Sequence, residues 1–285
     1  SKSFIKFQIR ASKIIINNKE SSKQAYIFDR SVSKDYWELR EKFSKFHMTP
    51  KFSKIDTISF LQEKELSSID LLALNEKELI SGLSNYFHSQ VNFGKKNGSQ
   101  ISVNKFVKKP YEFLNKNDYL KFFEPFILKR VDHLVKSDKL VMIVPSAIEP
   151  WPNFHKGNLE FTDLSPVEFR EAPLFHDLCY MLMKYELYGF IRDKNKSLLP
   201  KLILELKKVS LGNINNESTN NLNNLAKQIL SILSYDEFID YYILMILFHC
   251  FVKYHATGRF LYSIPEKRLL NTLKKHLMIF KYIEK

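Results

Sequence analysis

Glycine is scarce in this chain. Only 7 of its 285 residues are glycine, and neither G-x-G-x-x-G nor G-K-[ST] occurs. Gly-rich loops bind phosphates because their main-chain N–H groups can approach the ligand closely. The sequence therefore disfavours a Walker-type NTPase and a dinucleotide-binding protein.

Patterns that carry metal or hydrolytic chemistry are also lacking. The 8 histidines show neither H-x-x-x-H nor H-E-x-x-H spacing, so a zinc site has little support. No serine lies in a G-x-S-x-G elbow, which disfavours an α/β-hydrolase. The two cysteines, Cys179 and Cys250, lie in apolar helical contexts, and we interpret them as buried thiols in a reducing compartment.

Long apolar runs are missing as well. The longest, residues 241–252, is interrupted by His249 and is too short to cross a bilayer. The first residues show no secretory signal pattern. We therefore expect a cytoplasmic protein without a transmembrane segment.

Positive charge is what the chain has in excess. Its formal net charge is +13, and the lysines are spread along the sequence rather than collected in a tail. Two interpretations of this charge stay open. Either it reflects a Lys- and Asn-rich composition that comes from an AT-rich genome, or the protein binds anionic partners. Spread charge favours weak, non-specific binding to anionic surfaces over a dedicated nucleic-acid groove.

The first 66 residues have the pattern of a small sheet that carries one helix. Alternating apolar and β-branched residues predict strands, with a hairpin turn at 17–22. Ser33 is a candidate N-cap for a helix that ends before Pro50, with Tyr36, Leu39, Phe43 and Phe46 as its apolar stripe. The predicted strands are 4–9, 13–16, 25–28, 54–58 and 59–62.

Beyond residue 66 the apolar period changes from 2 to 3.6, which predicts a mostly helical second part. We expect an α+β fold with a β-rich N-terminal lobe over 1–66 and a helical C-terminal lobe over 67–285, joined by a crossing near 66–70. Loops are expected at 94–109 and 212–224. The predicted helices are 75–89, 111–136, 174–193, 198–209, 222–233, 235–254 and 265–282.

A short run of motifs carries the most specific signal. The apolar strand 142–147 leads into Pro150-Trp151-Pro152-Asn153, a second short strand ends on Asp163, and a Pro-Leu-x-x-Asp-Leu helix start covers 173–178. This order resembles the aminoglycoside-phosphotransferase and choline-kinase-like branch of the protein-kinase superfamily. The resemblance implies a two-lobed kinase-like fold, with a small N-terminal sheet lobe that carries one helix and a larger helical C-terminal lobe.

The resemblance also implies residues that would bind ATP and Mg²⁺. Asp163 matches the metal-binding aspartate, and Asp177 matches a buried aspartate that braces the catalytic loop. Glu63 lies in a hinge-like segment, 61–65, which would hold the adenine edge. Either Glu38 or Glu41 takes the place of the N-lobe helix glutamate.

Several parts of the family's site are missing. The strand 25–28 has no lysine, so Lys23 or Arg30 would have to replace it from the flanks. The family's His-Gly-Asp is also absent, and two alignments of the loop stay open. The gap-free alignment, which we prefer, puts Ala147 at the aspartate position and Pro152 at the asparagine. A shortened loop instead makes Glu149 the catalytic base and Asn153 a metal ligand beside Asp163.

Three functional hypotheses follow. The first is an ATP-dependent sugar or small-molecule phosphotransferase, which the resemblance associates with bacterial cell-surface polysaccharide pathways and a small-molecule or glycan acceptor. The second is a catalytically inactive pseudokinase that binds a protein partner as a regulatory scaffold. The third is a basic protein that binds nucleic acid or anionic lipid. Phosphoryl transfer depends on positioned charges, and several of the charged residues are missing. The phosphotransferase and pseudokinase hypotheses are therefore almost equally supported by the sequence.

Overall fold

A computed structural model of the chain shows a mixed helix-and-sheet protein that is mostly helical. Its strands form small sheets, in which the described pairs are antiparallel. This agrees with the expected mixture of helix and sheet. The structure describes residues 11–17, 22–28, 31–46, 52–63, 74–116, 125–147, 153–155, 158–160, 169–191, 198–212 and 221–245.

The first sheet contains a hairpin near the N-terminus. Strands β1 (Ala11–Asn17) and β2 (Ser22–Phe28) pair antiparallel, with Asn17 opposite Ser22 at the turn end. This confirms the predicted hairpin. The strand predicted over 4–9 lies outside the described residues.

Two further strands complete this sheet, in the order β1-β2-β4-β3. β4 (Ser59–Glu63) matches its prediction, whereas β3 (Phe52–Lys54) begins and ends earlier than the predicted 54–58. Residues 55–58 turn instead, because the Asp56 carboxylate accepts a 2.7 Å hydrogen bond from the Ile58 N–H.

The helix between β2 and β3 is α1 (Lys34–Lys45). The Ser33 hydroxyl accepts from the Tyr36 N–H at 3.3 Å, which confirms the predicted N-cap. The apolar stripe is partly wrong, since Leu39 and Phe46 are only half-buried. The buried face consists of Tyr36, Trp37, Arg40 and Phe43.

Aromatic rings hold α1 on the sheet. The Trp37 ring centroid lies 5.8 Å from that of Phe60 and 6.1 Å from that of Phe28. Arg40 is fully buried among them, with its guanidinium carbon 4.1 Å from the Phe60 ring centroid. A planar guanidinium can stack on aromatic faces, so this cation takes a place where the pattern predicts an apolar side chain.

The next helix, α2 (Glu76–Asn97), begins at a reciprocal cap between Asn75 and Glu78, in which each side chain accepts from the other residue's N–H. It runs past its predicted end at residue 89 and stops before Gly98, whose φ of 62° suits a helix C-terminus. The predicted loop over 94–109 is therefore wrong. Those residues end α2, form β5 (Gln100–Ser102) and begin α3.

The single helix predicted over 111–136 is also wrong. The structure has α3 (Val103–Lys116), which contains Pro110, and α4 (Pro125–Lys136). Proline has no N–H to donate, so Pro125 suits a helix start. Val103 and Val107 are buried in α3, and this tertiary packing outweighs the local cost of Pro110.

The second sheet has the order β5-β6-β9, formed with β6 (Leu140–Ala147) and β9 (Phe169–Pro173). β6 confirms the predicted strand at 142–147. A separate hairpin pairs β7 (Asn153–His155) with β8 (Asn158–Glu160). Residues 161–168 lie outside the described residues, so the predicted end of a strand on Asp163 stays a prediction.

The remaining helices lie close to their predicted positions. A helical segment also covers 235–245, while 246–254 and the helix predicted over 265–282 lie outside the described residues. Phe175 and Tyr241 stack face to face here, with ring centroids 3.5 Å apart. The helices are α5 (His176–Ile191), α6 (Leu199–Ser210) and α7 (Asn221–Leu230).

The chain divides into two compact units. Unit 1 comprises Ser1–Lys96 with Val144–Ala172, and unit 2 comprises Asn97–Ile143 with Pro173–Lys285. The predicted crossing at 66–70 lies outside the described residues. The division into lobes at residue 66 therefore stays a prediction.

Candidate functional site

A buried acidic group lies where the motif analysis places one. Asp177, in the first turn of α5, is 1% exposed, and its carboxylate lies 3.0 Å from Nδ1 of the fully buried His176. Phe106 of α3 contacts the imidazole edge-on, with centroids 5.7 Å apart. The expected burial of Asp177 is confirmed.

The surroundings of this pair indicate a structural task. Neither side chain has access to solvent, so neither can exchange a proton directly with an external substrate. The Leu174 N–H donates to the Met142 carbonyl at 2.9 Å and ties the segment before α5 to β6. This main-chain bond thus holds the segment before α5 beside the strand that leads to the candidate catalytic loop.

The candidate catalytic loop itself is described only at its edges. Ala147 is the last residue of β6, and Asn153 is the first residue of β7. Glu149 and Asp163 lie outside the described residues. The roles of Glu149 as base and of Asp163 and Asn153 as metal ligands therefore remain predictions.

Two predicted cofactor-binding residues are neighbours in the first sheet. Lys23 of β2 lies directly opposite Glu63 of β4 in the antiparallel register. The sheet thus brings together the candidate replacement for the strand lysine and the hinge-like glutamate. Their binding roles stay predictions.

The glutamates of α1 lie on its solvent-facing side. Glu38 pairs with Lys34 at 3.5 Å and Glu41 with Lys45 at 2.9 Å, each within one helical turn. These side chains are 54% and 62% exposed, and such pairs contribute less than about 1 kcal/mol. In the described conformation neither carboxylate points at the sheet, which does not fit the glutamate–lysine ion pair of a kinase-type ATP site. Binding of ATP through Glu38 remains a prediction.

A groove runs beside α1 and β3 in unit 1. Its volume is about 610 Å³, within the size range of ligand pockets. Trp37 lines it with 6% exposure and stacks on Phe52 at 6.1 Å between centroids. The groove is lined by Lys34, Trp37, Glu38, Glu41, Ser44, Lys45, Phe52 and Lys54.

The thiol in α5 is unsuited to nucleophilic chemistry. Cys179 is fully buried, and the loss of solvation raises the pKa of its thiol well above the ordinary range. This confirms the expectation of a buried thiol for Cys179; Cys250 lies outside the described residues.

The described residues contain no cluster of three or more His, Cys, Asp or Glu side chains placed to hold a metal ion. Within the same part of the chain, every helix is too short or too polar to cross a membrane.

Sequence reasoning missed Arg40, Trp37 and Lys54. The helical spacing of residues 36, 37, 40 and 43 places Trp37 and Arg40 on one face of α1, so the sequence contained a signal for both. The predicted stripe contained only apolar side chains and tyrosine, so it did not include Arg40. Lys54 had no such signal, since its place beside Trp37 depends on how β3 packs against α1.

Known proteins resemble this chain in structure rather than in sequence. No protein-family model matches the chain, and no curated protein matches it. The chain is similar in structure to an ethanolamine kinase of Plasmodium vivax, with 12% sequence identity and a TM-score of 0.45. The alignment covers 94% of this chain and 82% of that protein.

Proposed function

We propose that this protein is a kinase-like scaffold that binds a partner protein and does not transfer phosphate. The observation that carries the proposal is the sheet-facing side of α1. That side presents the fully buried Arg40, while Glu38 and Glu41 form exposed pairs with lysines of their own helix. Kinase-type catalysis needs a glutamate on this helix to position the lysine that binds phosphate.

The buried Arg40 and the solvent-facing glutamates disfavour a nucleotide site on electrostatic grounds. A buried guanidinium beside the sheet would repel a phosphate-positioning lysine, whereas a glutamate would attract it. The gap-free loop alignment adds to this, since it leaves Ala147 and Pro152 in the positions of an aspartate and an asparagine. In that alignment the helix glutamate, the loop aspartate and the asparagine of a kinase site are all replaced or displaced. Such residues act as a unit in catalysis.

The test is a thermal-shift titration of the whole chain with ATP and Mg²⁺. A functional site would stabilise the protein by about 2.7 kcal/mol at a hundredfold excess over the dissociation constant. We expect no rise in Tm with ATP, GTP or ADP in the presence of Mg²⁺ or Mn²⁺. A rise with any of these pairs would contradict the scaffold proposal.

A phosphotransferase with a rearranged site is the second candidate. It is favoured by the chain order of β6, the β7–β8 hairpin, β9 and then α5 with its buried Asp177. In this candidate Asp163 and Asn153 would bind Mg²⁺, and Glu149 would be the base. A sugar or glycan acceptor rests on the resemblance alone.

Two variants distinguish this candidate if nucleotide binding is found. Asp163→Asn should then remove the metal-dependent rise in Tm, because a hard cation needs the charged oxygen. Glu149→Gln should keep the rise and remove turnover, because it changes only the proton acceptor. Equal effects of the two variants on binding would contradict these roles.

A further inference from the structure

The outward sides of α3 and α4 carry an excess of lysine. Both helices belong to unit 2, where α3 buries Val103 and Val107 and α4 buries Val131 and Leu134. At 3.6 residues per turn, the exposed lysines lie on the opposite side of each helix from these buried residues. These six residues, the lysine surface, are Lys105, Lys108, Lys109 and Lys116 of α3 and Lys129 and Lys136 of α4.

Two hydrogen bonds show how the two helices are arranged. The Tyr111 hydroxyl of α3 donates to the Asp132 carboxylate of α4 at 2.7 Å, and Asn104 donates to Asp138, just after α4, at 2.9 Å. The start of α3 therefore lies beside the end of α4, and the helices run antiparallel. By helical spacing, Tyr111 and Asp132 lie between the buried side and the lysine side of their helices, so the lysines of both helices form one surface.

Neighbouring acids leave most of this positive charge in place. Of the six lysines, only Lys108 pairs with a carboxylate among the described residues, that of Glu112 at 4.0 Å. The two acids next to the surface, Asp132 and Asp138, accept hydrogen bonds from side chains of α3. Five lysines thus remain to interact with an anionic partner.

The composition of the lysine surface indicates which anion it suits. Among the side chains described in α3 and α4, the exposed ones include no Phe, Tyr, Trp, Leu, Ile or Val. A protein interface has an apolar core, and a helix that binds a membrane inserts apolar side chains. Proteins that bind single-stranded nucleic acid stack its bases on aromatic rings. The backbone of a duplex, in contrast, is bound through positive charge alone.

We propose that the lysine surface binds the phosphate backbone of a nucleic-acid duplex without reading its sequence. Lys105 and Lys116 are 11 residues apart, which is about 16 Å along α3. Each strand of a duplex carries about five phosphates over that length. The lysines of α4 lie about 8–10 Å to the side, the usual distance between packed helices. This binding goes beyond the scaffold function and does not depend on it.

The salt dependence of the affinity measures the number of phosphate contacts. The probe is a fluorescein-labelled DNA duplex of mixed sequence and roughly 16 base pairs, several times the length of the surface. Its anisotropy is followed on titration with the whole chain. For five contacts, a plot of log affinity against log salt concentration should have a slope of about −4.5, a loss of about 500-fold between roughly 50 and 200 mM salt. A slope shallower than about −2 would overturn the proposal.

A matched pair of double variants locates these contacts. Lys105→Gln with Lys109→Gln removes two charges from the lysine surface and should reduce the slope to about −2.7. Lys42→Gln with Lys227→Gln removes two exposed lysines of α1 and α7 and should keep the wild-type slope. Glutamine and lysine are similar helix formers, so both variants should keep the wild-type Tm. Equal slopes for the two double variants would overturn the proposal.

The second helix provides an independent variant. Lys129→Gln with Lys136→Gln should give the same reduction of the slope as the change in α3, because it also removes two contacts. A wild-type slope in this variant would show that α4 does not take part, and the proposed surface would be wrong.

Other anions test the kind of partner. An RNA duplex should bind like the DNA duplex, whereas a single strand of equal length should give a slope of about −3.5 and bind more weakly. Polyglutamate and phosphatidylserine-containing vesicles stand for an acidic protein and a membrane. Tighter binding of the single strand, or polyglutamate or vesicle binding that the α3 variant weakens while duplex binding is unchanged, would overturn the proposal.

Discussion

At the scale of single residues, Arg130 of unit 2 pairs with two carboxylates. This α4 residue pairs with two acids of the helical segment 235–245: Nη1 lies 2.8 Å from the Asp240 carboxylate and Nη2 lies 3.1 Å from the Asp236 carboxylate. Asp240 is 13% exposed, whereas Asp236 is 74% exposed. Loss of solvation raises the pKa of the Asp240 carboxyl, although Arg130 and His133 act in the opposite direction.

This raised pKa predicts a pH-dependent stability. The folded state holds the Asp240 proton more tightly than the unfolded chain does, so the contribution is full below the ordinary aspartate pKa of about 4 and is lost as pH rises through the folded pKa. Asp240→Asn cannot titrate. We expect the unfolding free energy of the variant, minus that of the wild type, to increase with pH over this window in urea unfolding.

The control for that experiment is Asp236→Asn, which removes the more exposed partner of the same guanidinium. Because the Asp236 charge also raises the pKa of Asp240, we expect a smaller difference of the same sign in this variant. A difference as large as that of Asp240→Asn would assign the effect to loss of an Arg130 contact rather than to burial of Asp240. A difference that stays constant across the window would contradict the pKa direction.

At the scale of secondary-structure elements, three described helical segments begin at side-chain caps. Ser33 caps α1, and reciprocal caps join Asn75 to Glu78 and Ser234 to Glu237. Such caps satisfy N–H groups that have no partner inside the helix. They are readable in the sequence, which is why the starts of α1, α2 and the 235–245 segment agree with their predictions.

The cap of α1 can be tested by one substitution. Ser33→Ala removes the acceptor for the Tyr36 N–H and should lower the free energy of unfolding by about 1 kcal/mol. Urea denaturation measures the change. Ser44→Ala, inside the same helix, is the control and should fall within about 0.5 kcal/mol of the wild type. A Ser33→Ala variant as stable as the control would contradict the capping role.

Element boundaries were less predictable where packing overrides local signals. The predicted loop 94–109 and helix 111–136 meet at Pro110, yet this proline lies inside α3. The packing of α3 with α4 outweighs the missing hydrogen bond there. The predicted start of the loop at residue 94 was also wrong, since Gly94 is a buried residue within α2 and Gly98 follows the end of that helix.

At the scale of the whole molecule, the net charge of +13 is a property of the full chain. Three exposed lysines of α3, Lys105, Lys108 and Lys109, are an example: among the described residues, only Lys108 of the three pairs with a carboxylate, that of Glu112 at 4.0 Å. Charges in such solvated positions attract polyanions at long range but do not read a base sequence.

We therefore expect binding to single-stranded RNA to depend strongly on salt. Fluorescence anisotropy with a labelled uridine oligonucleotide should give an affinity that falls by about a hundredfold or more between roughly 50 and 200 mM salt, because lysines release counterions. A mixed-sequence oligonucleotide of equal length should bind equally well. Binding that survives high salt and distinguishes sequences would support a dedicated nucleic-acid site instead.

The sequence by itself determined the hairpin, the cap of α1, the β6 strand and the burial of Asp177. Each depends on neighbours within a few residues or on a local apolar period, so the information is contained in short stretches. Tertiary structure decided the rest. Only packing against the sheet shows that Arg40 faces Phe60 while Glu38 faces solvent, and only the pairing of β2 with β4 places Lys23 opposite Glu63. These relations join residues far apart in the chain, and side-chain charge alone does not reveal which face of an element is buried.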